Sequence, residues 1–118
     1  MGRTMNIGIM SKEQFREYTL SIARGEHKPK QSEPKVWFDS VESMSQVLST
    51  RNRELLRIIK EQKPESLSEL ASVSGRHVAN LSRTLKMMEG YGIVKLERQH
   101  NTLKPRVLVD DFQAVFGL

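Results

Sequence analysis

The sequence contains no cysteine, few aromatic residues and no long apolar run. The absence of cysteine excludes disulfides, thiolate metal sites and cysteine nucleophiles, and it suits a reducing cytoplasm. No segment approaches the roughly 18 apolar residues of a membrane span, and the first residues lack the continuous apolar segment of a signal peptide. We therefore expect a soluble, cytoplasmic protein whose core consists mostly of leucine, isoleucine, valine and methionine.

Patterns typical of catalysis and metal binding are also missing. His27, His77 and His100 lie far apart in three different segments, and no cluster of histidines or carboxylates has metal-ligand spacing. Asp110 and Asp111 form a carboxylate pair without a basic partner or a glycine-rich loop nearby, which is typical of a helix cap or a turn. The sequence therefore predicts that the protein is not an enzyme and binds neither a metal nor a cofactor.

Positive charge is concentrated in one part of the chain. The 118 residues carry a net charge of +5, and the chain has the length of one ordinary domain. Residues 51–106 contain 12 basic and 6 acidic residues, a net +6, whereas the remainder contains 7 basic and 8 acidic residues, a net −1. A compact basic segment is typical of a phosphate-binding surface, although a basic surface without a ligand fits the charge equally well.

The N-terminal segment predicts a helix that begins at Ser11. Ser11 and Gln14 form a capping box, and Phe15, Tyr18 and Ile22 then follow at helical spacing as a narrow apolar stripe. A polar segment with two prolines comes next, and its composition is typical of a linker. The predicted helix is therefore separated from the main body of the chain.

We accordingly divide the chain into a helical arm with its linker, residues 1–33, and a domain with a C-terminal tail, residues 34–118. An apolar stripe on an arm favours dimerisation or partner binding, although packing back onto its own domain is nearly as well supported. The tail is apolar enough to serve the same purpose. The candidate partner or dimer residues are Phe15, Tyr18, Ile22, Phe112 and Phe116.

The domain predicts helices followed by a hairpin. Asp39 and Glu42 predict a capped helix through about residue 49, Thr50 or Asn52 can cap the next, and Pro64 ends it. A short helix over 67–73, a tight turn at residues 74–75 and a longer helix over 76–89 precede the alternating pattern of a hairpin. We therefore predict a mainly α fold with a small β-hairpin, in the winged helix-turn-helix order, with an N-terminal helical arm.

The longer helix separates into an apolar and a basic face. Val78, Leu81, Leu85 and Met88 are predicted to face the core, and the opposite side contains no acidic residue between residues 76 and 86. An inert surface helix usually mixes charges of both signs, so this face favours nucleic acid. Arginine reads guanine and asparagine reads adenine in the major groove. The candidate base-contacting residues are Arg76, His77, Asn80 and Arg83.

Phosphate contacts are expected around this helix and at the hairpin tip. Hydroxyl groups in the tight turn can donate to phosphate oxygens, and a hairpin tip can lie along the backbone or reach the minor groove. A polar tip is also what solubility alone would favour. The candidates are Ser72, Ser74 and Lys86 around the helix, and Arg98, His100, Asn101 and Lys104 in the hairpin.

The segment "SLSELASVSGRHVANLSRTLKMMEGYGIVKLE", residues 66–97, resembles the helix-turn-helix and wing of regulators related to the MarR and ArsR families. The pattern is carried by Leu70-Ala71, Val78, Leu81-Ser82, Leu85 and Gly92-Ile93-Val94. With "WFDSVESMSQVLSTRNRELLRII" before it and "PRVLVDDF" after it, residues 34–112 resemble more narrowly a prokaryotic family of winged-helix DNA-binding proteins that often look like antitoxins of type II toxin–antitoxin modules. Met87-Met88 departs from the more usual lysine-leucine-like pair, which puts a contact by residue 87 in doubt.

The resemblance implies a sequence-specific transcriptional regulator that binds palindromic promoter DNA as a homodimer. It further implies an autoregulating antitoxin that neutralises a partner toxin, with the arm or the tail available to hold that toxin. The alternative is a protein-interaction module, a winged helix that covers a toxin or joins an assembly with little specific DNA binding. The acid-free helix face separates the two hypotheses, because an interaction module does not need it.

Overall fold

The computed structural model describes residues 3–117, and over these residues the fold is α/β, with 46% helix and 23% strand. The predicted mainly α fold class is wrong, because the described residues form five strands in two sheets rather than one hairpin. The strands are β1 (Thr4–Ile9), β2 (Val36–Phe38), β3 (Val94–Gln99), β4 (Thr102–Val107) and β5 (Asp111–Val115). The helices are α1 (Lys12–Ala23), α2 (Val41–Val47), α3 (Thr50–Gln62), α4 (Leu67–Ser74) and α5 (Val78–Gly90).

The chain forms two compact units. Unit 1 comprises Met1–Gln46 together with Asp110–Leu118, and unit 2 comprises Val47–Val109. The predicted division into residues 1–33 and 34–118 grouped the chain differently, since it placed the C-terminal strand and β2 with the DNA-binding domain. In the structure both strands belong to the same sheet as the N-terminal strand.

Unit 1 is built on a parallel sheet in the order β2-β1-β5. Helix α1 connects β1 to its parallel neighbour β2, as a crossover connection between parallel strands requires. The predicted capping box is present, since the Ser11 side chain accepts from the Gln14 backbone N–H and the Gln14 side chain accepts from the Ser11 N–H. The helix predicted as an arm is therefore the crossover helix of a β-α-β unit.

The carboxylate pair at the start of β5 joins this strand to the start of β1. The Asp110 carboxylate accepts from the Arg3 backbone N–H at 2.6 Å, and the Asp111 carboxylate accepts from the Thr4 hydroxyl. Thr4 and Asp111 are also register partners at the start of β1 and β5. The interpretation of this pair as a helix cap or turn is therefore wrong for Asp111, which opens a strand.

Unit 2 consists of α3, α4 and α5 followed by the antiparallel hairpin β3-β4. Its core is aliphatic, as the composition predicted, with Leu55, Leu56, Ile59, Leu70, Leu81, Leu85, Met88, Ile93 and Val94 buried. Val78 was predicted to face this core, but its side chain is 43% exposed because it is the first residue of α5.

Two helix caps differ from the predicted residues. Ser40, not Asp39, accepts from a first-turn N–H of α2, and Ser49, rather than Thr50 or Asn52, caps α3. Ser66 caps α4 as predicted. Lys63 ends α3 in a left-handed conformation with φ of 48°, one residue before Pro64.

In residues 3–117 no helix combines the length and the apolar character needed to span a membrane.

Candidate nucleic-acid interface

The turn between α4 and α5 sets the position of the candidate interface. Gly75 has a φ of 75°, a left-handed conformation that favours glycine, and its N–H donates to the Ala71 carbonyl at 3.0 Å. The Ser74 hydroxyl accepts from the Arg76 backbone N–H at 3.3 Å. This tight connection ends α4 and starts α5 within three residues, and α5 begins at Val78, two residues later than predicted.

The N-terminus of α5 has no side-chain cap. His77 occupies the N-cap position without a capping hydrogen bond, and the first turn contains no acidic residue. The partial positive charge at a helix N-terminus favours anions, and a capping carboxylate or hydroxyl would normally occupy it. The first turn of α5 is therefore electropositive and open to an acceptor group.

Arg76 joins α5 to α3 through hydrogen bonds to neutral oxygens. Its Nε and Nη2 donate to Asn80 Oδ1 at 2.9 and 2.7 Å, and Nη2 also donates to Thr84 Oγ1 at 3.1 Å. Its Nη1 donates to Asn52 Oδ1, in the first turn of α3, at 3.1 Å. Two of the four predicted base-contacting residues, Arg76 and Asn80, are therefore bonded to one another.

The positive charge of Arg76 has no carboxylate within ion-pair distance in the described part of the chain. Partial burial lowers the pKa of Arg76, and the nearby positive charge of Arg51 lowers it further. Both effects disfavour the charged form of the guanidinium. A bound anion would relieve them.

Arg51 and Arg76 line a basic cleft at the start of α3 and α5. The cleft has a volume of about 580 Å³ and is lined by Arg51, Gly75, Arg76, His77, Ala79, Asn80 and Arg83. A second depression of about 310 Å³ shares Arg51, Gly75 and Arg76 with it and extends toward Glu54. The cleft therefore brings three arginines and the uncapped helix N-terminus to one surface.

Beyond the cleft, the outer face of α5 is positive. Arg83, Lys86 and His77 are exposed, and within residues 3–117 neither Arg83 nor Lys86 has an ion-pair partner. The predicted phosphate donors in α4 are partly occupied, since the Ser72 hydroxyl donates to the Ser68 carbonyl at 3.3 Å. Arg83 and Lys86 are therefore the two cations of α5 that are free to contact an anionic partner.

The hairpin presents some of its predicted residues and not others. Arg98, His100 and Asn101 are exposed around the tip, and His100 adopts the left-handed φ of 57° that closes the turn. Lys104 is instead paired with Glu65 at 3.4 Å, so it links β4 to the residue before the N-cap of α4. An exposed ion pair of this kind is weak. In the hairpin, Arg98 is therefore more accessible to an anionic partner than Lys104.

The sequence interpretation missed Arg51, Asn52 and Thr84. A signal was present in the sequence "TRNR", because basic residues in the first turn of a helix oppose its dipole. The first turn of α3 indeed contains no acidic residue. A basic helix start that lacks a compensating acid is a position where a bound anion would be stabilising, and Arg51 could have been found on that ground.

The predicted partner residues lie in unit 1. Tyr18 packs against Trp37 and His27 with ring centroids 5.4 Å apart in each pair, and its hydroxyl donates to Glu33 at 2.7 Å. Ile22 is half-buried, and Phe15 remains 40% exposed. Most of the α1 stripe therefore packs within unit 1, which was the alternative to partner binding.

Of the two candidate partner residues in the C-terminal tail, only one is partly buried. Phe112 is half-buried in β5, whereas Phe116 is 51% exposed.

No group of three or more histidine, aspartate or glutamate residues able to hold a metal ion occurs among residues 3–117. The described surface therefore offers a basic cleft in unit 2 and exposed apolar groups at the C-terminal strand of unit 1.

The chain belongs to the HVO_A0114 family, whose model matches residues 47–114, more than half of its length. The match begins at Val47, where unit 2 begins, and it extends into β5. No curated protein and no solved structure matches the chain. The family region therefore contains the whole basic cleft, whereas β1, α1 and β2 lie outside it.

Proposed function

We propose that the protein is a sequence-specific DNA-binding transcriptional regulator of the winged helix-turn-helix kind, which binds promoter DNA as a homodimer. The observation that supports this most is the basic cleft at the uncapped N-terminus of α5, continuous with the exposed Arg83 and Lys86. The tight turn at Gly75 presents this helix end outward. Duplex DNA supplies both the phosphates and the groove that such a helix fits.

Within this proposal the residues in and around the start of α5 have two different tasks. Arg83, Lys86 and His77 contact DNA directly, since they are exposed. Arg76 holds Asn80, Thr84 and Asn52 in place and directs its charge toward a backbone phosphate. Arg51 contributes a second positive charge to the same phosphate. A toxin partner, implied by the resemblance, stays a prediction.

The test is binding of the purified protein to the duplex upstream of its own gene, against a scrambled duplex, at two or more salt concentrations. We expect tighter binding to the upstream duplex, and log K falling with log salt by about 0.9 per phosphate contact. Arg83→Ala should weaken specific binding by roughly 1–3 kcal/mol and relax one base position.

Lys63→Asn is the matched control. It also removes one exposed positive charge from unit 2, but it lies roughly 18 Å along α3 from Arg51, and asparagine tolerates the left-handed conformation of this residue. It should leave affinity nearly unchanged. Equal binding to both duplexes at every salt concentration would reject the regulator and favour the protein-interaction module.

A further inference from the structure

The parallel sheet of unit 1 has two edges that differ in kind. The β2 edge is three residues long and is flanked by Pro34, Lys35 and Asp39. Short length, proline and charge are the features that prevent an edge strand from pairing with another chain. β5 is five residues long, and between Phe112 and Val115 it contains neither proline nor charge, since its carboxylates, Asp110 and Asp111, lie only at its start. We call the outer side of Phe112–Val115 the pairing edge.

The pairing edge is uncharged, and three of its four residues are exposed. β1 occupies one side of β5, and in the described residues no strand lies on the other side. Val115 is 63% exposed and the adjoining Phe116 is 51% exposed. An uncharged edge strand next to exposed apolar side chains offers backbone hydrogen bonds and an apolar surface to the same partner.

We propose that this edge pairs with the same edge of a second copy of the chain, so that two three-stranded sheets join into one continuous sheet. An isologous contact about a two-fold axis needs one self-complementary segment. In antiparallel pairing centred on Ala114, Phe112 lies opposite Phe116 of the second copy. The two Asp111 carboxylates then lie at opposite ends of the ribbon, roughly 20 Å apart.

Charge favours unit 1 as the place where two copies meet. Residues 47–109 carry a net +6, from 12 basic and 6 acidic residues, whereas the rest of the chain carries 7 basic and 8 acidic residues, a net −1. Two unit 2 surfaces repel each other, while two unit 1 surfaces do not. Residues 111–114 also lie inside the family-matched region, so the family includes most of the strand that carries the edge.

The requirement for a dimer rests on the proposed function, because two-fold related DNA half-sites need two copies of the recognition helix. The edge itself is argued from strand order, exposure and charge. The two inferences can therefore fail separately.

The first experiment measures molar mass by light scattering during size-exclusion chromatography. The wild-type protein should have twice its 13.6 kDa chain mass. Ala114→Lys places like charges opposite each other at the axis and should give the single-chain mass. Val41→Lys, at an exposed apolar residue of α2 in the same unit, is the matched control and should remain dimeric. Circular dichroism of each variant establishes that it is folded.

The second experiment uses the absence of cysteine in the chain. A single cysteine is introduced as Ala114→Cys, the residue that lies opposite its own copy at the proposed axis, with Val41→Cys as the control. Residues directly opposite across an antiparallel pair have Cβ atoms about 4.5–5.5 Å apart, close to disulfide range. Mild oxidation should cross-link Ala114→Cys and not the control, and Gln113→Cys and Val115→Cys, which lie diagonally to their own copies, should cross-link less.

A wild-type protein of single-chain mass would overturn the pairing edge, as would a dimer that survives Ala114→Lys and gives no edge-specific cross-link. Neither result would contradict salt-dependent DNA binding by a single copy of the protein. A cross-linked dimer without preference for the upstream duplex would reject the proposed function and leave the pairing edge intact.

Discussion

The two units of the chain offer different kinds of surface to a partner. Unit 2 carries a net +6 and contains the basic cleft. Unit 1 is nearly neutral, and it contains most of the large apolar side chains that the described residues expose, namely Phe15, Leu20, Val41, Val115 and Phe116. The proposals made above accordingly assign a polyanion to unit 2 and a protein surface to unit 1. Positive charge and most of the exposed large apolar side chains therefore lie in different units of the chain.

The largest expected effect concerns the core of unit 2. Leu85 is fully buried on α5, directly beneath the basic face. Leu85→Ala should cost about 2–5 kcal/mol of unfolding free energy, because it removes buried methyl groups and leaves a cavity. Val78→Ala, on the same helix but at an exposed residue, should cost less than about 1 kcal/mol. Urea denaturation compares them, and equal costs would mean that Leu85 does not lie in the core.

A second comparison sets one glycine of unit 1 against one of unit 2. A Cβ atom added to Gly8 in β1 would overlap the ring of Trp37 in β2, which Tyr18 also contacts. Gly8→Ala should therefore destabilise the protein by roughly 1–3 kcal/mol. Gly90→Ala meets no atom within 4 Å at the end of α5 and should be neutral or stabilising by up to about 1 kcal/mol. Thermal unfolding of both variants decides whether Trp37 packs over β1 as described.

The two units also differ in how far their structure could be predicted from the sequence. The helices of unit 2 are specified by neighbours: Ser66 caps α4, Gly75 ends it, and leucines at helical spacing define the buried side. Strands β1 and β5 have no such local signal, since Thr4 pairs with Asp111, 107 residues away. Hydrophobic periodicity does not reveal a partner at that distance, and the fold class was wrong for this reason.

The candidate site shows the same distinction within one helix. The spacing of apolar residues along α5 correctly predicted that Leu81, Leu85 and Met88 lie on the side opposite the basic face. It did not reveal that Arg76 reaches Asn52 on α3, because that contact depends on how two helices pack. A pattern along one helix predicts which side faces outward, but it does not predict which outward side chains bind each other.

A third pair of variants sharpens this distinction. Arg76→Met removes hydrogen bonds to Asn80, Thr84 and Asn52 and should cost roughly 1–3 kcal/mol of stability, together with a loss of DNA affinity. Arg83→Ala should lower affinity while leaving stability within about 0.5 kcal/mol of wild type. Chemical denaturation and DNA titration of both proteins test this. If Arg76→Met lowered affinity but left stability unchanged, Arg76 would act only as a phosphate contact and not as a positioning residue.

The smallest expected effect is a pH dependence that arises in unit 1. Hydrogen bonds from His27 and then from Tyr18 lower the pKa of Glu33. Because the folded-state pKa lies below the unfolded value of about 4.3, the stabilisation by Glu33 is fully present above that value and is lost as the pH falls through the folded-state pKa. The hydrogen bond to Glu33 also raises the pKa of Tyr18, so its stabilisation is present below about pH 10 and is lost in more alkaline solution.

Glu33→Gln isolates this contribution. It should flatten the acid side of a plot of unfolding midpoint against pH, with little change near neutrality beyond a small uniform shift, since exposed pairs contribute little. Glu26→Gln, at an exposed residue of the same loop, should keep the wild-type profile. Superimposable profiles for Glu33→Gln and the wild type would mean that the loop before β2 is not held to α1 through Glu33.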